Sequence, residues 1–227
     1  MVRCAMRILP LSLICLSMAA CGPSSAQNQS TAQTSISPKK TAAVSDAAQP
    51  LVTAARDRLH ARVRYDGRYV GLDYPGGDVP ANIGVCTDVL IRSLRAAYNF
   101  DLQRTVHEDM KANFSAYPTN WGLTRTDKNI DHRRVPNLEV YFTRAGYDLP
   151  ITQQKADYLP GDIVSWRLDN NQGSGGLPHI GIISERLGVT GNPLVIHNWG
   201  SGPEESDMLF SHSITGHFRL AAPLSAR

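Results

Sequence analysis

Cys86 and His179 are the two residues of this sequence whose types and settings could together do nucleophilic chemistry. Cys86 stands where a stretch rich in Gly, Pro, Asp and Tyr gives way to a helical pattern. Unpaired N–H groups at a helix start carry about half a positive charge. That field favours thiolate over a thiol whose free pKa is roughly 8.5, and the same N–H groups can receive the oxyanion of a tetrahedral intermediate. A neighbouring carboxylate would oppose thiolate formation, so Asp88 is expected to serve the helix start with its side chain turned away from the sulfur. His179 opens a β-rich stretch, where it shares a strand face with Gly181 and Ile183. On its own it would read as a strand-end histidine that only packs. Gly181 leaves room for another element to come close. His197, near the end of the next β-rich stretch, could accept the far ring N–H of His179. Asn198 could do so from the opposite face, and the reading favours His197. Thiol, base and orienting polar group make up the set a thiol hydrolase needs.

The cysteine count sharpens this. Of the four cysteines, Cys4 and Cys15 fall in a leader-like start and Cys21 directly follows Met18-Ala19-Ala20. Arg3 and Arg7 precede an uncharged apolar run, Ile8 to Ala20, which is short for a membrane span and fits a secretory signal. Small residues before a cysteine resemble a bacterial lipobox, so residues 1–20 are expected to be a signal peptide and Cys21 the site of lipidation. An ordinary signal cut near Ala20 is the alternative. Cys86 would then be the only thiol of the mature domain, without an intramolecular disulfide partner. An inert buried cysteine is the competing reading.

The elements that must position these residues follow from periodicity. Leu51 to Val63 and Cys86 to Tyr98 carry apolar residues at helical spacing. His107 to Phe114 is expected to be a short helix, and Val135 to Ala145 a helix from Pro136, ended by Gly146. Tyr65–Pro80 and Tyr117–Arg134 read as loops. Asp162 to Leu168, His179 to Ser184 and Leu194 to Asn198 are short and β-branched, with a turn at 169–173 and a last strand over His217 to Leu220. Helices first and an antiparallel sheet afterwards is an α+β pattern. Residues 21–50, rich in Ser, Thr, Gln, Ala and Pro, are expected to form a disordered tether reaching roughly 30 Å, and residues 51–227 one domain. Losing Arg3 and Arg7 takes the formal charge of +3 to about +1, which gives no electrostatic reason to expect nucleic acid as a partner.

In order and spacing, Cys86 at a helix start, Gly161-Asp162-Ile163-Val164, His179-Ile180-Gly181-Ile182 and Val195-Ile196-His197 resemble the NlpC/p60 superfamily of cell-wall cysteine peptidases. The strings GVCTDVLIRSLR, NIDHRRVPNLE, GDIVSW, PHIGIIS and HNWG are similar to a bacterial family catalogued as domain of unknown function 1287, placed near the papain-like peptidases. The resemblance implies a papain-like fold, with Cys86 as nucleophile, His179 as base and His197 as third member. It implies cleavage of an amide bond in the peptide part of peptidoglycan. Tyr65 stands roughly where NlpC/p60 enzymes place a tyrosine of the substrate cleft. Those enzymes carry Asp-Cys-Ser-Gly at the nucleophile, whereas this chain has Val85-Cys86-Thr87-Asp88. The triad roles survive that change; the substrate preference need not.

Other residues complete the candidate site. Arg133, in the cluster Asp131-His132-Arg133-Arg134, could bind a substrate carboxylate bidentately, or the cluster could be a salt-bridged loop that staples the fold. Trp121 and Trp199 could line a cleft, and Trp199 has the better claim because it follows His197-Asn198. His132, His179, His197 and Cys86 could in principle hold zinc, but no HExxH, CxxC or close histidine pair is present, and no metal or cofactor is expected. The expected protein is a monomeric, exported lipoprotein held to the membrane by its lipid and facing the periplasm. Its expected substrate is a peptidoglycan peptide. The rival functions are a catalytically inactive papain-like binding lipoprotein, and an acyltransferase or transpeptidase that uses the same thioester.

Overall fold

The computed structural model describes residues 45–168 and 176–220. The signal, Cys21, most of the expected tether and the 169–173 turn lie outside the described residues. The tether's last residues do not follow expectation. The Ala48 N–H bonds the carbonyl and hydroxyl of Ser45, and α1 (Gln49–Asp57) starts there with Pro50 in its first turn. A short 3-10 turn, Arg58–His60, follows where a longer helix was expected.

Next comes a two-residue parallel pairing of β1 (Arg64–Tyr65) with β2 (Ile83–Gly84), inside segments that read as loop. β2 runs into α2 (Cys86–Tyr98), which begins and ends as its periodicity predicts. Asn99, in the left-handed conformation at φ 52°, stops it. The next helix, α3 (Leu102–Ala112), starts five residues before the expected His107. Leu102, Val106 and Met110 give it a buried face from its first residue, and the Asp101 carboxylate caps it by accepting the Arg104 N–H at 3.2 Å. α4 (Val135–Arg144) carries Pro136 in its first turn.

The sheet is antiparallel throughout. β3 (Ile163–Leu168), β4 (Leu177–Leu187), β5 (Pro193–Trp199), β6 (Gly202–Ser206) and β7 (Ser213–Phe218) lie in the order β6-β5-β4-β3-β7. The last strand begins four residues before the expected His217, and β6 was not expected at all. Its sequence, GPEES, offers neither β-branched residues nor alternation to read.

Alternation along the strands divides the apolar residues between two cores. Ile163, Ile180, Ile182, Ile196 and Phe218 meet Leu90, Ile91, Leu94, Leu138 and Phe142 of the helices. Val164, Trp166, Ile183 and Val195 pack on the other face with Tyr158, Met208 and Leu209. Each fully buried Leu or Ile contributes roughly 1.5–3 kcal/mol. The Gly-Asp pair at the head of β3 is structural. Buried Asp162 accepts from His217 at 2.8 Å and from Arg219 at 2.6 and 2.7 Å, fastening β7 to β3. Ser45 and Leu220, the two ends of the described domain, line one cavity of about 390 Å³.

Candidate active site

The site starts with how α2 is launched. The β1–β2 pairing sets Tyr65 opposite Gly84, held by Arg64 N–H to Asn82 O (2.9 Å) and Asp66 N–H to Gly84 O (3.0 Å). That brings the Tyr65 hydroxyl to the first turn of α2, where it bonds Cys86. A side chain at position 84 would press on Asp88 at 3.2 Å, so glycine is what lets the pairing run this close to the helix. Asp88 turns back to accept the Val85 N–H at 2.6 Å and holds the Arg133 guanidinium at 3.1 and 2.9 Å. Both charged side chains are almost completely buried.

This corrects the expectation for Arg133. Its guanidinium is spent on Asp88, and its carbonyl accepts from Thr87 Oγ1, so it pins the Asp131–Arg133 turn to α2 instead of offering a free fork to a substrate carboxylate. The staple reading of that loop is what the geometry carries.

The sulfur sits at a split in the sheet. Ile183 donates its N–H to Asp162 O on the β3 side, so alternation aims the Ile180 N–H toward β5. The β4–β5 pairs run only as far as Ile182–Ile196. The Ile180 N–H finds the Cys86 sulfur there instead. Cys86 thus lies against the residue next to His179, at a cavity of about 220 Å³ lined also by Tyr65, Trp121, Arg133, Arg134 and Pro178.

Across the split, His179 Nε2 lies 3.0 Å from His197 Nδ1 with the rings edge to face. Gly181 makes this possible: a Cβ there would come within 2.6 Å of Val195 Cγ1 and 3.2 Å of His197 Cβ. His197 Nε2 in turn meets Ser206 Oγ at 2.7 Å and Glu204 Oε1 at 3.5 Å, both on β6. Asn198 is not the partner of His179. Its side chain points to the other face, where Nδ2 reaches Val85 O at 3.4 Å behind the start of α2. Trp199 keeps 42% of its surface exposed with its ring 5.5 Å from His179, so it flanks the histidine pair as expected.

The electrostatics depart from expectation. Burial pushes the Cys86 thiol up to about 11; the Tyr65 hydroxyl and the Thr87 and Ile180 N–H groups pull it down, and Asp88 adds to the rise. The helix-start field is present, but desolvation outweighs it. Burial, aided by His197 and His212, lowers His179 to about 3, and burial lowers His197 to about 4. Tyr65 is raised to about 12, first by burial and then by Cys86, so its hydroxyl stays protonated and can donate. At neutral pH the site holds a thiol, two uncharged imidazoles and a phenol.

Sequence reasoning missed three contributors. Ser206 and Glu204 sit on the unforeseen β6. His212, whose ring lies 6.0 Å from Trp199, comes from the segment after it. Arg134 belongs to the polar cluster the sequence offered, but its stacking 4.1 Å over Trp121 was not foreseen, because it depends on a meeting of two stretches of one irregular segment.

Comparison with known proteins sets the chain among relatives. The pattern of a family described as Domain of unknown function (DUF1287) matches residues 52–220. A protein of Escherichia coli strain K12, described as uncharacterized protein YijF, is 52% identical over 169 residues, covering 74% of this chain and 80% of that protein. Among solved structures, NlpC1 from Trichomonas vaginalis aligns at 14% identity and a TM-score of 0.42, over 79% of this chain and 46% of that one, so this chain spans less than half its length. An N-acetylmuramoyl-L-alanine amidase from Bacteroides uniformis ATCC 8492 aligns at 12% identity and 0.42, over 77% and 99%. With a pattern matched along most of its length and a relative 52% identical over 169 residues, the chain belongs to the DUF1287 family.

Proposed function

We propose that the protein is an exported cysteine hydrolase that cleaves an amide bond in peptidoglycan stem peptides, working from the membrane through a lipid on Cys21. The observation that carries the chemistry is the Cys86 sulfur seated on the Ile180 N–H, one residue along β4 from His179, which pairs with His197. The substrate class rests on the resemblance of the motifs to the NlpC/p60 peptidases.

In this reading Cys86 attacks the carbonyl carbon as His179 takes its proton. The Tyr65 hydroxyl and the N–H groups at the head of α2 receive the oxyanion. Collapse expels the amine, which takes the proton back from His179 and leaves a thioester. Water then attacks the thioester, with His179 again accepting and returning a proton, and the acid and the thiol are released. His179 can act as base only if its proton sits on Nε2, and β6 favours that tautomer. A carboxylate such as Glu204 accepts but does not donate, so it holds a proton on His197 Nε2. His197 Nδ1 is then a free acceptor for the Nε2–H of His179, and the lone pair of His179 remains on Nδ1.

The test is digestion of purified sacculi, with the released bonds identified by mass spectrometry. The protein should release peptide fragments with a new carboxyl and a new amine. Cys86→Ala and His179→Ala should release none while unfolding at the wild-type temperature to within a few degrees. Undiminished release by Cys86→Ala would remove the nucleophile assignment.

A further inference from the structure

Among the described residues, Arg134 is the charged side chain of the cleft that makes no ion pair. Its guanidinium lines the Cys86 cavity and lies 4.1 Å over the Trp121 ring. Nη1 is shielded from solvent and has no hydrogen-bond partner among the described residues. The two carboxylates that act on it electrostatically are engaged elsewhere. Asp131 Oδ2 accepts from His107 and from the Asp127 N–H. Asp127 accepts from Tyr69 and from the Asn129 N–H. The adjacent Arg133 is neutralised by Asp88. An arginine partly withdrawn from water, unpaired, and held against an aromatic face is arranged to take an anion. A planar carboxylate matches its fork, and an aromatic stack fixes the fork's plane.

The backbone makes that position firm. The turn before Arg134 is pinned to α2 through Arg133, and α4 begins at the next residue with Pro136 in its first turn.

We propose that Arg134 and Trp121 form an anion subsite beside Cys86, so that the preferred substrate carries a free carboxylate close to the scissile amide. This rests on the proposed nucleophile, and it narrows the substrate to acidic peptides.

Two alkylating reagents of nearly equal size test it without needing the substrate: iodoacetate carries a carboxylate and iodoacetamide does not. Their rates at Cys86 would be followed by mass spectrometry of the peptide containing it, in the full chain. The iodoacetate-to-iodoacetamide ratio should fall roughly tenfold in Arg134→Gln, the scale of a hydrogen bond to a charged group. Arg134→Lys should retain most of the preference. Arg144→Gln, which removes a charge from the exposed pair with Asp109, should leave the ratio unchanged. An equal ratio in wild type and Arg134→Gln would overturn the subsite; Arg134 would then only balance Asp131, whose Oδ1 also lacks a partner. Failure of either reagent to label wild-type Cys86 would instead overturn the nucleophile assignment, and the subsite with it.

Discussion

A thiol raised to about 11 and an imidazole lowered to about 3 are both neutral across the physiological range. The pair therefore rests as thiol and free base, not as a preformed thiolate–imidazolium. Thiolate is the reactive form, so alkylation of Cys86 by iodoacetamide should climb about tenfold per pH unit from pH 7 to pH 10. A plateau from pH 5 to 8 would show a standing ion pair and refute this. At this scale part was legible: His179, His197 and Trp199 stand together as their order and residue types suggest, and Cys86 meets the same strand at the neighbouring Ile180. The sign of the thiol's shift was not legible, because burial depends on how tightly β4 and α2 close over the sulfur. The stacking of Arg134 on a partner was hidden for a related reason. Its partner Trp121 comes from an irregular stretch with no period to fix its position.

The first turn of α2 is the element on which the site depends. Asp88 does two jobs there, capping the Val85 N–H and neutralising Arg133. Asp88→Ala would leave a buried guanidinium uncompensated and should cost about 3–5 kcal/mol in urea unfolding. Replacing both partners with Asp88→Leu and Arg133→Met should cost clearly less than the sum of the single changes. Additive losses would mean that the pair is not coupled. Helices α2 and α4 and strands β3, β4 and β5 were legible because each carries a strong apolar period. β6 was not, since an edge strand of Gly, Pro, Glu and Ser is made by its partner's pairing and has no pattern of its own. The early start of α3 is a different case: Leu102, Val106 and Met110 recur at helical spacing and Asp101 caps the first turn, so both signals stand in the sequence and the expected start at His107 passed over them.

At the scale of the molecule, burial holds three histidines among the described residues in uncharged form. Burial lowers His132 and His179 to about 3 and His197 to about 4, against an ordinary value of 6.5. Below pH 6.5 the unfolded chain binds protons at these positions and the folded chain refuses them until pH 3–4. Acid therefore favours unfolding throughout that window, while above 6.5 their contribution is constant. Each such imidazole removes about 1.4 kcal/mol per pH unit inside the window. The urea midpoint should fall steeply between pH 6.5 and 4.5 and be nearly flat from 7 to 8, and His132→Asn should flatten the acid limb. An acid limb unchanged in that variant would exclude His132 as a contributor. The α+β layering was legible from helices preceding strands, and the two-sided core from strand alternation. The convergence of Ser45 and Leu220 on one cavity was not. That convergence has a practical side: none of the residues lining that cavity lines the cleft at Cys86. A bead, chip or fusion partner coupled at Ser45 or Leu220 would grip the same corner and leave the Cys86 cleft open.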